Sequence, residues 1–220
     1  MAVILRNGIF GDYYGNTFDT SNALSQSQME VNAYYVYSYL KHEGWTDNAI
    51  AGLLGNLQHE SSINPGRWEG NDVGNGPGYG LVQWTPYTNY TNWCSSEGRS
   101  DPSEMDNNLA RILYELENGL QYFTTSGYPE SFKEFSQSTK DPYYLACAFA
   151  WNYERSWVVL YGSEEEKEAL RQKRGGSANE WYTYLTGKDP VTPGGGGASS
   201  TKKNKFNFIL FNRRRRGIYG

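Results

Sequence analysis

Glu60 is the side chain with the clearest capacity for chemistry. It closes the stretch "GLLGNLQHE" and is followed at once by the turn-forming "SSINP". Read as a helix, Ile50, Leu53, Leu54 and Leu57 fall at i, i+3, i+4 and i+7 and make one apolar stripe. Glu60 comes three residues after Leu57, which at about 100° per residue places it on the edge of that stripe. Apolar neighbours disfavour an ionised carboxylate, and the negative end of the helix dipole acts in the same direction. A carboxyl group held protonated in this way is what a general acid needs near neutral pH. The competing reading is a solvated residue at a helix end, and position alone favours it.

Other chemistries fit less well. The only histidines are His42 and His59, and "HESSI" is not H-E-x-x-H. A zinc peptidase needs several ligands, so no metal site and no cofactor is expected, and His59 reads as an ordinary helix-end residue. Cys94 and Cys147 fit no metal spacing and no disulfide framework. They read as reduced, partly buried thiols of a protein made in cytoplasm, with a single bridge as the alternative. A Cys-His amidase built from one of them and His59 carries little weight, since neither cysteine has a strand-to-helix context.

The elements that must hold Glu60 follow from caps and periodicity. Residues 1–26 show no sustained period and read as an arm, docked through Ile4, Phe10 and Tyr13. Ser27 and Glu30 have capping-box spacing for a helix through "MEVNAYYVYSYLKHEGW", ending near Gly44. Thr46 can cap the helix that carries Glu60. Asn64-Pro65-Gly66 forces a turn, and "GLVQW" predicts a small hairpin or sheet near 79–93. Met105, Leu109, Ile112, Leu113 and Leu116 form one helical face, with Pro102 in its first turn. A short helix is expected near 131–137, another opening at Asp141-Pro142, and a last one over 164–185 that stops at Gly187. The fold class is α+β, predominantly α. Residues 27–187 form the domain, 188–204 a Gly-rich linker, and 205–220 a basic tail suited to docking on a partner.

Composition narrows the ligand. Aromatic residues make up 16% of the 220 residues, with 19 Tyr and 7 Trp, which suits a groove for flat, hydroxyl-rich ligands such as sugars as well as it suits an aromatic core. Residues 188–220 hold eight basic groups and one acid, leaving 12 basic and 23 acidic groups in residues 1–187, a net −11. An acidic body argues against nucleic acid as its substrate. The N-terminal apolar run is short for a signal peptide, and no stretch approaches the ~20 apolar residues of a membrane span.

In this order, "GLLGNLQHESSINPGRWE", "GYGLVQWTP" and "YERS" resemble signatures of the phage tail lysozyme family, a branch of the goose-type lysozyme and lytic transglycosylase superfamily. The resemblance spans roughly residues 28–187. It implies a lysozyme-like helical domain with a small β element beside a cleft. It also implies a protein at the tip of a phage tail that degrades peptidoglycan during genome delivery, touching other tail-tip proteins, in this chain through the basic tail. Carried over residue by residue, Glu60 is the proton donor. Ser61, Tyr79, Gln83 and Trp84 line the cleft, Tyr153 packs beside Glu60 or meets the sugar, and Trp68 either stacks on a ring or packs its own loop.

The second carboxylate that glycosidases commonly use is not obvious. Glu69 and Asp72 lie in the Gly-rich loop. Glu154 is the remaining candidate, although a structural ion pair with Arg155 is the weightier reading. Without a second acid, the substrate's own N-acetyl or 6-hydroxyl group could complete the reaction, so hydrolysis and transglycosylation both remain open. In phage relatives a Gly-rich linker leads to a metallopeptidase domain, and this chain has no histidine after its linker. A non-catalytic wall-binding or tail-plug module with the same fold is the alternative.

Overall fold

The computed structural model describes residues 4–11, 23–71 and 76–190, and helices dominate it. Tyr13, Asp72, the linker beyond 190 and the basic tail lie outside the described residues. The N-terminal stretch is more ordered than its composition suggests. Strands β1 (Ile4–Arg6) and β2 (Ile9–Gly11) pair antiparallel with Leu5 opposite Phe10. Asn7-Gly8 closes the hairpin with φ of 51° and 81°, the pairing that a two-residue turn with positive φ requires. Asn32 fixes the hairpin to the domain. Its Oδ1 accepts from Phe10 N at 2.9 Å, and its Nδ2 donates to Phe10 O at 2.7 Å and Ile63 O at 2.8 Å.

Helix α1 (Gln26–His42) starts two residues earlier than its sequence suggests. Ser25, not Ser27, is the N-cap, and Gln28, not Glu30, completes the capping box. Both pairs have the required spacing, and the upstream pair is the one the helix uses, which lengthens it by two residues. Thr46 caps α2 (Asp47–Ser61) as expected, accepting from Ala49 N at 3.1 Å, and its hydroxyl donates to Ser138 O.

Helix α2 is buried nearly all round rather than along one stripe, from Ala49 through Leu57. Small residues on its second face explain this. A Cβ on Gly52 would lie 2.8 Å from Leu145 Cβ, and one on Gly55 would lie 2.6 Å from Arg174 O. Two other helices therefore close directly on its backbone, and each fully buried Leu or Ile adds roughly 1.5–3 kcal/mol.

The segment expected to pair as a hairpin near 79–93 does not. Tyr79 makes isolated bridges to Trp68 and Trp84, and helix α3 (Thr88–Ser96) follows. Gly80, at φ 85°, turns the chain too sharply for a strand to continue. Helix α4 (Met105–Asn118) begins after Pro102 rather than at it, and buries Met105, Leu109 and Ile112. Then come α5 (Phe132–Ser136) and α6 (Pro142–Phe149), which widens into a π-helical turn at Ala150–Glu154. Helix α7 (Trp157–Tyr161) is short, and α8 (Glu164–Leu185) is the longest. Helices α2, α6 and α8 pack on one another most extensively and form the centre of the core. Among the described residues, no helix is long and apolar enough to cross a membrane.

Candidate active site

Glu60 stands in the last turn of α2, and the chain leaves that helix in a strained conformation. Ser62 and Ile63 both have left-handed backbones, with φ of 56° and 55°. A β-branched residue there is a true outlier, costing on the order of 1–3 kcal/mol, and it persists because Ile63 is fully buried and its carbonyl accepts from Asn32. Ser61 is buried too, its hydroxyl donating to Leu57 O at 3.2 Å. The loop that follows Glu60 is thus held from both sides.

The immediate partner of Glu60 is a cation rather than the apolar surface expected. Arg174 of α8 donates through Nη2 to Glu60 Oε1 and through Nη1 to Asn56 O at 2.8 Å. Their side chains keep 9% and 20% exposure, so the pair lies at the edge of solvent. The close seating of α8 against Gly55 carries Arg174 alongside α2. His59 is fixed by the same helix, with Nε2 2.9 Å from Ser177 Oγ, and is more than an ordinary helix-end residue. Burial and the charges of Arg174 and Lys173 push its pKa down to about 4.

Glu154 ends the π-helical turn, a widened geometry that recurs at functional sites. The structure records no ion pair between it and Arg155. Arg155 instead takes a left-handed backbone and sits over the Phe123 ring at 4.9 Å, because the turn closes by Arg155 N bonding to Ala150 O. Residue 154 as a whole keeps some exposure, but its Oε1 is buried and has no hydrogen-bond partner. That buried oxygen governs its titration. Burial raises the Glu154 pKa well above the ordinary carboxylate range, the negative charge of Glu60 adds to this, Arg174 opposes it, and Glu115 adds further.

Glu115 of α4 is a third acid at this place, only 1% exposed. It accepts from Arg111 Nε at 2.8 Å, from Trp84 Nε1 at 3.0 Å and from the Tyr153 hydroxyl. Burial raises its pKa, while these three donors pull it back. Tyr153 and Trp84 are therefore anchored from beneath. Tyr153 is 1% exposed, Trp84 5%, and Tyr79 and Trp68 are buried, so all four rings face protein. Trp68 packs its own loop, 4.6 Å from Tyr79 and 5.0 Å from Tyr87.

Gln83 is spent locally as well. Its Nε2 donates to Gly80 O at 2.7 Å and Arg67 O at 3.1 Å, which holds its own positive-φ backbone. Asn108 ties this loop to α4, accepting from Leu81 N at 2.9 Å and donating from Nδ2 towards Tyr90 Oη at 3.0 Å and Pro102 O at 2.9 Å. Of the predicted catalytic and cleft-lining residues, Glu60, Glu154 and Gln83 retain access to solvent, as does Glu69. A cavity of about 420 Å³ lined by Leu116, Tyr122, Phe123 and Phe132 lies near the π turn but includes neither Glu60 nor Glu154.

Sequence reasoning missed Arg174 and Glu115. For Glu115 a signal existed, since it falls three residues after Ile112 on the buried stripe of α4. For Arg174 the only signal was its place beside Gly175-Gly176 in an otherwise charged helix, which marks close packing but names no partner.

Glu60 and Glu154 thus have opposed environments, one paired with Arg174 and the other with a buried, unpartnered oxygen. This arrangement can set acid and base roles apart, because burial disfavours the charge of one group while the other is paired with a cation. The sequence pattern of the phage tail lysozyme family matches residues 31–185. Morphogenesis protein 1 of Bacillus phage B103 is 44% identical over 173 residues, covering 78% of this chain and 44% of that protein. The chain therefore spans less than half the length of this relative.

Proposed function

The chain belongs to the phage tail lysozyme family, and on that footing we propose that it cleaves the glycan strand of peptidoglycan as a component of a phage tail. Glu60 delivers a proton to the glycosidic oxygen, and Glu154 is the second carboxyl group. The observation that supports this most is the pair of acids itself, Glu60 at the edge of solvent on Arg174 and Glu154 with a buried, unpartnered oxygen. Gln83 and Arg67, joined by the bond from Gln83 Nε2 to Arg67 O, supply a polar rim, while Tyr79, Trp84 and Tyr153 act as buried support. The relative's printed name, a morphogenesis protein of a phage, fits a role in the virion. On this reading the enzyme opens the wall locally during genome delivery, and the basic tail engages tail-tip proteins.

The test is mass analysis of fragments released from purified Gram-positive walls. Reducing-end sugars identify a hydrolase, and anhydro sugars identify a lytic transglycosylase. Glu60→Gln keeps the shape of the side chain and removes its proton, so release should fall by about a hundredfold or more. Equal release by the variant would refute the assignment. One observation favours the non-catalytic wall-binding reading, namely that a guanidinium already occupies Glu60. That reading requires wall binding with no fragment released by the unmodified protein.

A further inference from the structure

Glu60 stands in the last turn of α2, where a long side chain keeps several rotamers unless something holds it. Arg174 holds it from α8, and Arg174 is itself fixed twice. Its backbone lies against α2, since a Cβ on Gly55 would come within 2.6 Å of Arg174 O. Its side chain is 9% exposed, and Nη1 donates to Asn56 O at 2.8 Å, one turn before Glu60. Asn56 is in turn tied to α6, donating from Nδ2 to Ala146 O at 2.9 Å. The fork of Arg174 is therefore divided, and Nη2 is the arm that reaches Glu60. A fork laid across both carboxylate oxygens, the frequent form of an Arg–Glu pair, would leave neither oxygen free for a proton. Here the bond goes to Oε1, and among the described residues Oε2 accepts none. A protonated carboxyl group has one oxygen that only accepts and one that carries the O–H. The grip on Oε1 thus assigns the O–H to Oε2.

We propose that Arg174 is a positioning residue for the proton donor, pinning Glu60 by Oε1 so that Oε2 is the oxygen presented to the glycosidic bond. The inference rests on the glycan-cleaving reading above. Holding one rotamer matters because proton transfer needs the donor within hydrogen-bond reach of its target, and small misplacements are costly in rate. A second tie between the same two helices supplies the contrast. His59 Nε2 lies 2.9 Å from Ser177 Oγ, three residues beyond Arg174 on α8. That contact fastens the neighbour of Glu60 without touching the Glu60 carboxyl group. If Arg174 served only to hold α8 on α2, loss of either tie would have the same kind of effect.

Two measurements test it. The first is the rate of fragment release from purified walls. Arg174→Met keeps the apolar stem and removes the donors, and it should lower kcat by about tenfold or more with KM changed by less than about twofold. Arg174→Lys keeps a donor but not the divided fork, and it should lose less. Ser177→Ala should keep both constants. In a Glu60→Gln background Arg174→Met should lower the residual rate by less than about twofold, because a residue acting through Glu60 has nothing left to act on. Met and Lys variants with wild-type kcat overturn the proposal. So does a loss that Ser177→Ala reproduces, or one that is as large in the Glu60→Gln background. A wild type that releases nothing overturns the glycan-cleaving reading instead, and the second measurement, which needs no turnover, then decides. In 13C relaxation of the Glu60 side-chain methylenes, the wild type should be ordered and both Arg174 variants more mobile. Equal order in all three proteins sinks the proposal whatever the activity.

Discussion

Substituting Gly55 by alanine should destabilise the protein, although alanine is the better helix former. The new Cβ would lie 2.6 Å from Arg174 O and 2.9 Å from both Ala178 N and Ala178 Cβ. Two of these atoms are backbone, so no rotamer change relieves the clash. Helix α8 would have to back away by several tenths of an ångström. Overpacking of this kind costs roughly 1–3 kcal/mol, and the backbone contacts put Gly55 at the upper end. The intrinsic gain of alanine over glycine in a helix returns about 1 kcal/mol. A net loss of about 1–2 kcal/mol remains, which for a domain of this size lowers Tm by about 2–8 °C. Gly176 of α8 supplies the internal control, because a Cβ there meets nothing within 4 Å. Gly176→Ala should stabilise by about 0.4–1 kcal/mol. Thermal unfolding followed by circular dichroism of the two single variants reads both signs. A Gly55→Ala protein as stable as the Gly176→Ala one would refute the claim that α2 and α8 are set by backbone contact at Gly55.

Two further expectations concern stability. The side chain of Asn108 is fully buried and serves Leu81, Tyr90 and Pro102 at once, so Asn108→Leu should cost about 2–4 kcal/mol in urea unfolding; a loss under about 0.5 kcal/mol would show that the loop does not depend on it. His59 is depressed from 6.5 to about 4, so the neutral ring is favoured in the fold, and the unfolded chain takes up its proton first on acidification. Its contribution is therefore present above about pH 6.5 and lost as pH falls towards 4. The full shift corresponds to about 3 kcal/mol, and partial exposure screens this to ~1–2 kcal/mol. His59→Gln should flatten the fall in urea midpoint between pH 7 and 4.5 relative to wild type, and parallel curves would contradict the assignment.

Local sequence signals carried much of the architecture. Thr46 as a cap, Pro142 at a helix start, Gly44 as a stop and the helix over 164–185 all appear as read, because each depends on residues within one turn. Where local signals competed, tertiary packing chose between them. Ser25 and Ser27 both had capping partners, and the folded chain uses Ser25 with Gln28. The β-prone "GLVQW" became a tight bridged loop because Gly80 takes a left-handed backbone at φ 85° and packs so close to Asn108 that an added Cβ would lie 2.7 Å from its Oδ1.

The sequence by itself determined that a glutamate would stand at the end of a helix, beside a sharp turn, in a domain made mostly of helices. Those properties follow from residue spacing along a few turns of chain. Only the tertiary structure decided what that glutamate meets. Arg174 lies 114 residues away from Glu60, and Glu115 lies 38 residues from Tyr153. Nothing in either neighbourhood names the other, since the meetings depend on where glycines let α8 close on α2 and on where the π turn sets Tyr153 against α4. The fold thus places the expected acid in an ionic pair and gives the buried, unpartnered oxygen to a different carboxyl group, Glu154.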